Sequence, residues 1–105
     1  MSKITFLNDA FRKTLSGGKV MLTAGVNKLP DIMKAAVIQK VATFDDFNED
    51  NDPYGEHDFG KFELCNRRFL WKIDYFDECG EYGSEDPADP EKTTRILTIM
   101  LASEY

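Results

Sequence analysis

The stretch GKFELCNRRFLWKIDYFD, residues 60–77, decides the fold that this sequence predicts. Apolar and polar side chains alternate before and after a polar break at Asn66-Arg67, and many of the apolar positions are aromatic. Alternation with a period of two is typical of strands with one buried face, and a short polar break between two such runs predicts a hairpin. Phe69, Trp71 and Tyr75 share one face. We expect them to pack in a core rather than to stack on nucleic-acid bases, because the flanking segments are acidic.

Two helices and two further strands are predicted around the hairpin. Residues 4–15 have apolar side chains at spacings of three and four, which predicts an amphipathic helix with Asn8, Arg12 and Lys13 facing outward. A second apolar stripe, which includes Ile32, runs from residue 29 to residue 44 and predicts a second helix that packs on the core.

The remaining strands complete an α+β fold. Residues 19–26 (KVMLTAGV) are apolar on both faces, which predicts a strand in the interior of a sheet. Residues 93–101 (TTRILTIML) form the last predicted strand. The order is therefore α-β-α-β-β-β, with two helices packed on one face of a four-stranded, mostly antiparallel sheet. The length suits one domain, residues 1–105.

Acidic residues are concentrated in the two segments that flank the hairpin, residues 45–58 and 74–91. These segments hold 15 of the 19 Asp and Glu residues and no Lys or Arg, whereas the rest of the chain carries 13 bases. A negative field disfavours direct binding to nucleic acid and favours basic protein surfaces or cations. Carboxylates on a rigid scaffold can also imitate the phosphates of duplex DNA and occupy a basic DNA-binding channel.

Two other interpretations of the acidic segments stay open, a solvated surface and a metal site. Asp50, Asp52, Gly55 and Asp58 resemble part of a calcium loop, but the position that requires a bidentate Glu holds Lys61. We therefore do not expect an EF-hand and predict no metal and no other cofactor, with an irregular cation site as the alternative.

His57, the only histidine, lies between two acidic residues. Neighbouring carboxylates favour its protonated form. The alternative function is a small enzyme or metal-binding domain in which His57, Asp58, Glu56 and Asp86 converge on one cleft. No G-x-S-x-G, H-E-x-x-H or CxxC motif supports a particular reaction. A structural role for His57 in hydrogen bonding within its loop is therefore the simpler interpretation, and a non-enzymatic protein is the leading prediction.

The N-terminal residues and the overall hydropathy indicate a cytoplasmic protein without membrane contact. MSKITFLNDAFRKT lacks the apolar run and the cleavage site of a signal peptide. No apolar run approaches the roughly 18 residues of a membrane span. In that compartment we expect Cys65 and Cys79 to be reduced thiols.

The sequence resembles a small bacterial protein family known only as domain of unknown function 3768. The most specific matching pieces are NDPYGEHDFG (51–60) and GSEDPADP (83–90). The other pieces are LNDAFR (7–12), GGKVMLTAGV (17–26), WKIDY (71–75) and TTRILTIMLASEY (93–105). The resemblance implies a complete domain of a type often carried by plasmids and other mobile elements. It implies no activity, cofactor or catalytic residue.

We therefore predict a small acidic inhibitor that binds a basic, nucleic-acid-handling protein as a DNA mimic. The mobile-element setting that the resemblance implies favours an anti-CRISPR or antirestriction role. The residues expected to supply the charge are Asp45, Asp46, Asp50, Asp52, Glu56, Asp58, Glu81, Glu85, Asp86 and Asp89. A homodimer is a further alternative, formed through the apolar strand at Val20 or the strand at Thr94 if either lies at a sheet edge.

Overall fold

The computed structural model describes residues 2–105 and contains three helices, four strands and a final 3-10 turn. The elements in chain order are α1 (Lys3–Thr14), β1 (Lys19–Leu22), α2 (Ala24–Asn27), α3 (Asp31–Ala42), β2 (Phe59–Leu64), β3 (Arg67–Phe76), β4 (Thr94–Leu101) and the 3-10 turn Ala102–Glu104. None of the helices within residues 2–105 has the length and hydropathy needed to cross a bilayer.

The predicted hairpin is confirmed as β2 and β3, which pair in antiparallel register with Phe62 opposite Phe69. Cys65 and Asn66 form the two-residue turn, with φ angles of 52° and 63°. Two consecutive left-handed residues are the geometry of a type I′ turn, whose twist matches that of the flanking strands.

The sheet has the strand order β1-β4-β3-β2, so the last strand in the chain lies inside the sheet. β4 pairs antiparallel with β3 and parallel with β1. The predicted α+β fold with a four-stranded, mostly antiparallel sheet is thus confirmed.

The core lies between the helices and one face of the sheet. Trp71 and Phe69 are fully buried, as the alternation in β3 predicts. Val37 and Val41 of α3 pack against this face. The other buried apolar residues of this cluster are Phe11, Val26, Leu29, Phe44, Ile73, Leu97 and Ile99.

The prediction of an interior strand over residues 19–26 is wrong in two respects. β1 ends at Leu22, and residues 24–27 form the short helix α2. The chain turns there because Glu104 accepts hydrogen bonds from the Gly25 N–H (2.9 Å) and the Thr23 hydroxyl (2.6 Å). β1 is also an edge strand, in which Val20 and Met21 are 37% and 54% exposed.

The helical stripe of residues 29–44 places Ile32 in the core, but the structure leaves Ile32 88% exposed. α3 buries Val37 and Val41, which are one turn apart. Ile32 lies five residues before Val37 and so points about 140° away from it around the helix axis. The prediction is therefore wrong for Ile32, and Ala36, which the stripe also places in the core, is exposed as well.

Candidate functional site

One face of α1 is polar and buried, where the sequence predicts solvent exposure for Asn8 and Arg12. Thr5, Asn8 and Arg12 are at most 3% exposed. The Asp9 side chain next to them is 13% exposed. These side chains bind the first acidic loop (residues 45–58), the second acidic loop (residues 77–93) and the strands between them. We call the whole set of contacts the polar network.

The main chain of the first acidic loop is hydrogen-bonded to α1 at two successive residues. The Thr5 hydroxyl donates to the Gly55 carbonyl at 2.6 Å. The Asn8 amide donates to the Glu56 carbonyl at 3.0 Å. The loop backbone takes the left-handed conformation at Gly55 and at His57, with φ angles of 66° and 55°. The loop is therefore held by its backbone, and its outer side chains are left free.

His57 lies between two carboxylates. Its Nδ1 is 2.9 Å from Oδ1 of Asp9, and its Nε2 is 3.6 Å from Oδ2 of Asp52. Asp52 Oδ1 also accepts the His57 backbone N–H at 3.0 Å. The ring stacks on Phe47, with centroids 3.8 Å apart and planes within 2°. A carboxylate therefore faces each of the two ring nitrogens of His57.

Arg12 links this histidine pair to the end of α3. Its Nη2 donates to Asp9 Oδ1 at 3.1 Å, and its guanidinium lies 5.2 Å from the centroid of the Trp71 ring. Its Nη1 donates to three main-chain carbonyls, those of Val41 (2.9 Å), Ala42 (3.3 Å) and Phe44 (2.9 Å). The last carbonyls of a helix have no partner within the helix, so Arg12 acts as a cap for α3.

Asn8 joins the two acidic loops through Tyr75 and Arg95. Its amide donates to the Tyr75 hydroxyl at 2.7 Å, and its oxygen accepts from Arg95 Nε at 2.7 Å. Tyr75 in turn donates to Asp58 Oδ2 at 3.0 Å. Arg95 also donates to the carbonyl of Pro87 in the second acidic loop. Both loops are thus tied to one buried amide of α1.

Burial disturbs the ionisation of the groups in this region. Burial raises the pKa of the Asp58 carboxyl, although the hydrogen bond from Tyr75 opposes the rise. Burial, with the nearby charges of Asp58 and Asp52, also raises the pKa of Glu56. Burial raises the pKa of the Tyr75 hydroxyl and lowers the pKa of Arg95. The two carboxylates therefore ionise at a cost to the folded state.

We predict that Asp58→Asn increases the free energy of unfolding at pH 7. The raised pKa means that ionised Asp58 destabilises the fold above its folded pKa, and this cost vanishes as the pH falls toward the ordinary value of 3.8. The asparagine oxygen can still accept from Tyr75. Urea titrations at pH 7 and pH 4 test the prediction. The difference in the free energy of unfolding between variant and wild type is expected to be smaller at pH 4. A difference of equal size at both pH values would contradict it.

The four residues of the enzyme alternative do not share one set of contacts. His57 faces Asp9 and Asp52, whereas Asp58 faces Tyr75. Asp86 Oδ1 accepts the Ala88 N–H within the second acidic loop. Within residues 2–105, no carboxylate of that loop lies within 4.0 Å of a His57 ring nitrogen, and no hydroxyl or thiol is hydrogen-bonded to the ring.

The predicted acidic residues divide into an exposed group and an inner group. Asp52 is buried, and Glu56, Asp58 and Asp89 are half-buried. The exposed members of the predicted set are Asp45, Asp46, Asp50, Glu81, Glu85 and Asp86. Glu49, Glu78 and Glu91 of the same loops are exposed as well. We call these nine exposed carboxylates the acidic rim. Within residues 2–105, no member of the rim lies within 4.0 Å of a Lys, Arg or His nitrogen.

The polar network holds no cluster of metal ligands among residues 2–105. A concavity of about 570 Å³ lies beside β2 and is lined by Phe59, Lys61, Leu70 and Tyr105 among others. Among residues 2–105, no group of three or more His, Cys, Asp or Glu side chains could hold a metal ion. The hydrogen bonds of the polar network hold the backbone of both acidic loops.

The fold and the site together define a small α+β domain with two acidic loops anchored on one helix. The sequence model of one family, described as "Protein of unknown function (DUF3768)", matches residues 22–104. The chain belongs to this family. No curated protein and no solved structure matches the chain.

Proposed function

We propose that this protein is a small acidic binding protein that presents the acidic rim to a basic, nucleic-acid-handling protein. The nine rim carboxylates support this function because they are exposed and have no basic partner in residues 2–105. Solvated carboxylates next to each other repel, and a cationic surface relieves that repulsion.

The polar network supports the proposal because it fixes the loops before a partner arrives. Thr5 and Asn8 hold the backbone of the first acidic loop at two points, and Arg95 holds the second at Pro87. Ordering a flexible loop costs free energy on binding, so loops that are already ordered bind more tightly for the same contacts. Imitation of the regularly spaced phosphates of DNA also requires carboxylates at fixed positions.

Two exposed tyrosines favour a partner rich in arginine. Tyr54 in the first acidic loop is 87% exposed and Tyr82 in the second is 72% exposed. Arginine combines bidentate binding to carboxylates with stacking on aromatic rings, whereas lysine is a compact point charge. Arginine-rich channels that bind nucleic acid offer this chemistry. A host-defence nuclease complex, as in an anti-CRISPR or antirestriction role, is one such partner.

The experiment is a capture of partners from host lysate with tagged wild-type protein and with two rim variants. The variants are Glu49→Gln/Asp50→Asn and Glu81→Gln/Glu85→Gln, whose side chains make no hydrogen bond or ion pair in residues 2–105. We expect the wild type to retain a nucleic-acid-binding protein that high salt or excess duplex DNA releases. Each variant is expected to bind this protein about twofold to thirtyfold more weakly, since it removes two exposed charges and exposed charge pairs contribute about 0.2–1 kcal/mol each.

The matched control is Asp31→Asn/Glu63→Gln, which removes two exposed carboxylates outside the acidic loops. It changes the net charge by the same amount, so the proposal requires it to bind the captured protein as the wild type does. Equal weakening by the control and by the rim variants would show that only net charge matters. Binding that neither salt nor duplex DNA reverses would contradict the proposed function.

A further inference from the structure

Within residues 2–105, no strand pairs with the outer backbone edge of β1. The Thr23 N–H donates to the Ile99 carbonyl at 3.1 Å, and Met21 lies opposite Thr98 in the parallel ladder with β4. Alternate residues of a strand direct their N–H and C=O groups to the same side. The backbone groups of Met21 therefore point to β4, and those of Val20 and Leu22 point away from the sheet. Such an edge is a template for another strand.

The side chains of β1 do not protect this edge. Val20 and Met21 are both exposed, and no charged residue follows Lys19 in the strand. The opposite edge of the sheet differs, since β2 carries the exposed charges Lys61 and Glu63. Charged residues along an edge strand prevent pairing with other chains, and β1 lacks them at its centre.

We propose that β1 pairs in antiparallel fashion with β1 of a second copy of this chain. Cross-strand neighbours must lie on the same face of the sheet, so residues of equal parity pair. With the twofold axis at Met21, Val20 of each copy lies opposite Leu22 of the other. The outward-pointing N–H and C=O groups of these residues then form two hydrogen-bonded pairs, with Met21 packed against Met21 between them.

The positions of the charged residues around β1 favour a second copy of this chain as the partner that pairs with its edge. In this register Lys19 lies opposite Thr23 of the other copy, so the lysines do not meet. The first acidic loop leads into β2, at the far edge of the sheet. β2 lies three strand spacings of about 4.8 Å from β1, so its own charges, Lys61 and Glu63, stay away from the joined edge. Antiparallel pairing also sets the second acidic loops at opposite ends of the joined strands.

The short length of β1 limits the affinity of the dimer. Strands of four residues bury less surface than the roughly 1,200 Å² of a stable interface. We therefore expect reversible association in the high micromolar range. Because its contacts are backbone hydrogen bonds and apolar packing, the association is expected to be the same at low and at high salt, unlike binding through the acidic rim.

The first test is sedimentation equilibrium of the wild type from about 10 μM to 1 mM. The average mass is expected to rise toward that of two chains. Met21→Lys places two ammonium groups at the twofold axis and is expected to weaken association at least tenfold. Ile32→Lys is the matched control, since it adds the same charge at an exposed apolar side chain on α3, outside the sheet and the acidic loops. A wild type that stays at the mass of one chain at 1 mM overturns the proposal.

The second test needs no substitution and follows amide hydrogen exchange across the same concentrations. The N–H groups of Val20 and Leu22 are expected to become protected at high concentration, whereas that of Met21, already bonded to β4, changes little. A doubling of mass without protection of Val20 and Leu22 overturns the proposal, because the copies then meet through another surface. Protection that appears only when a different protein is added overturns it as well.

Discussion

Arg12→Met is expected to lower the free energy of unfolding by about 3–5 kcal/mol. Arg12 is 1% exposed and supplies donors to Asp9 and to the carbonyls at the end of α3. Methionine fills a similar volume but leaves these buried acceptors without a donor, and the Asp9 charge loses its guanidinium partner. Chemical denaturation followed by Trp71 fluorescence measures the change.

The control is Lys13→Met, the next residue along α1, which is exposed. It removes one positive charge at nearly the same place and is expected to change stability by less than about 0.5 kcal/mol. Amide exchange in the first acidic loop gives a second readout, since loss of Arg12 disturbs the Asp9–His57 pair that anchors it. Equal stability of the two variants would mean that the polar network contributes little to the fold.

Gly60→Ala is expected to destabilise the protein by about 3 kcal/mol. A Cβ at Gly60 would contact Trp71 Nε1 and would lie 2.7 Å from Trp71 Cε2 and 2.8 Å from Phe44 Cζ. Trp71 is fully buried and Phe44 is 8% exposed, so neither ring can move away without disturbing the core. Thermal unfolding and urea titration both measure the effect.

Gly83→Ala provides the comparison for Gly60→Ala. No atom of residues 2–105 lies within 4 Å of a Cβ at Gly83, and its φ angle is not left-handed. We expect a change of less than about 0.5 kcal/mol there. A loss at Gly60 as small as that at Gly83 would show that the indole moves readily, and hence that the core beside β2 is loosely packed.

The hairpin and its core face were predictable because the alternation along β2 and β3 is local. Phe69 and Trp71 are buried by the same period-two rule that predicts the strands. The edge position of β1 could not be predicted in this way. Val20, Met21 and Leu22 are apolar, which is typical of an interior strand, and the parallel pairing with β4 depends on residues from the other end of the chain.

The sequence pattern does not predict the polar network, for a related reason. Asn8 and Arg12 lie one helical turn apart beside an apolar stripe, a pattern that usually indicates a solvated face. Their partners are Val41, Glu56 and Tyr75, all far away in sequence, so only the fold shows that these polar groups are satisfied when buried. The acidic loops themselves were evident from composition, but the division between inner and rim carboxylates was not.

The position of β4 inside the sheet affects how the protein folds during its synthesis. β4 occupies residues 94–101 and bonds to both β1 and β3, so the sheet is incomplete until those residues have left the ribosome. Chains grow at about 5–20 residues per second, and contacts between distant residues form slowly. During that interval the apolar strands are exposed, and the acidic segments between them give neighbouring nascent chains a like charge. The carboxylates that we propose for partner binding thus also give unfinished chains a like charge, which opposes their aggregation.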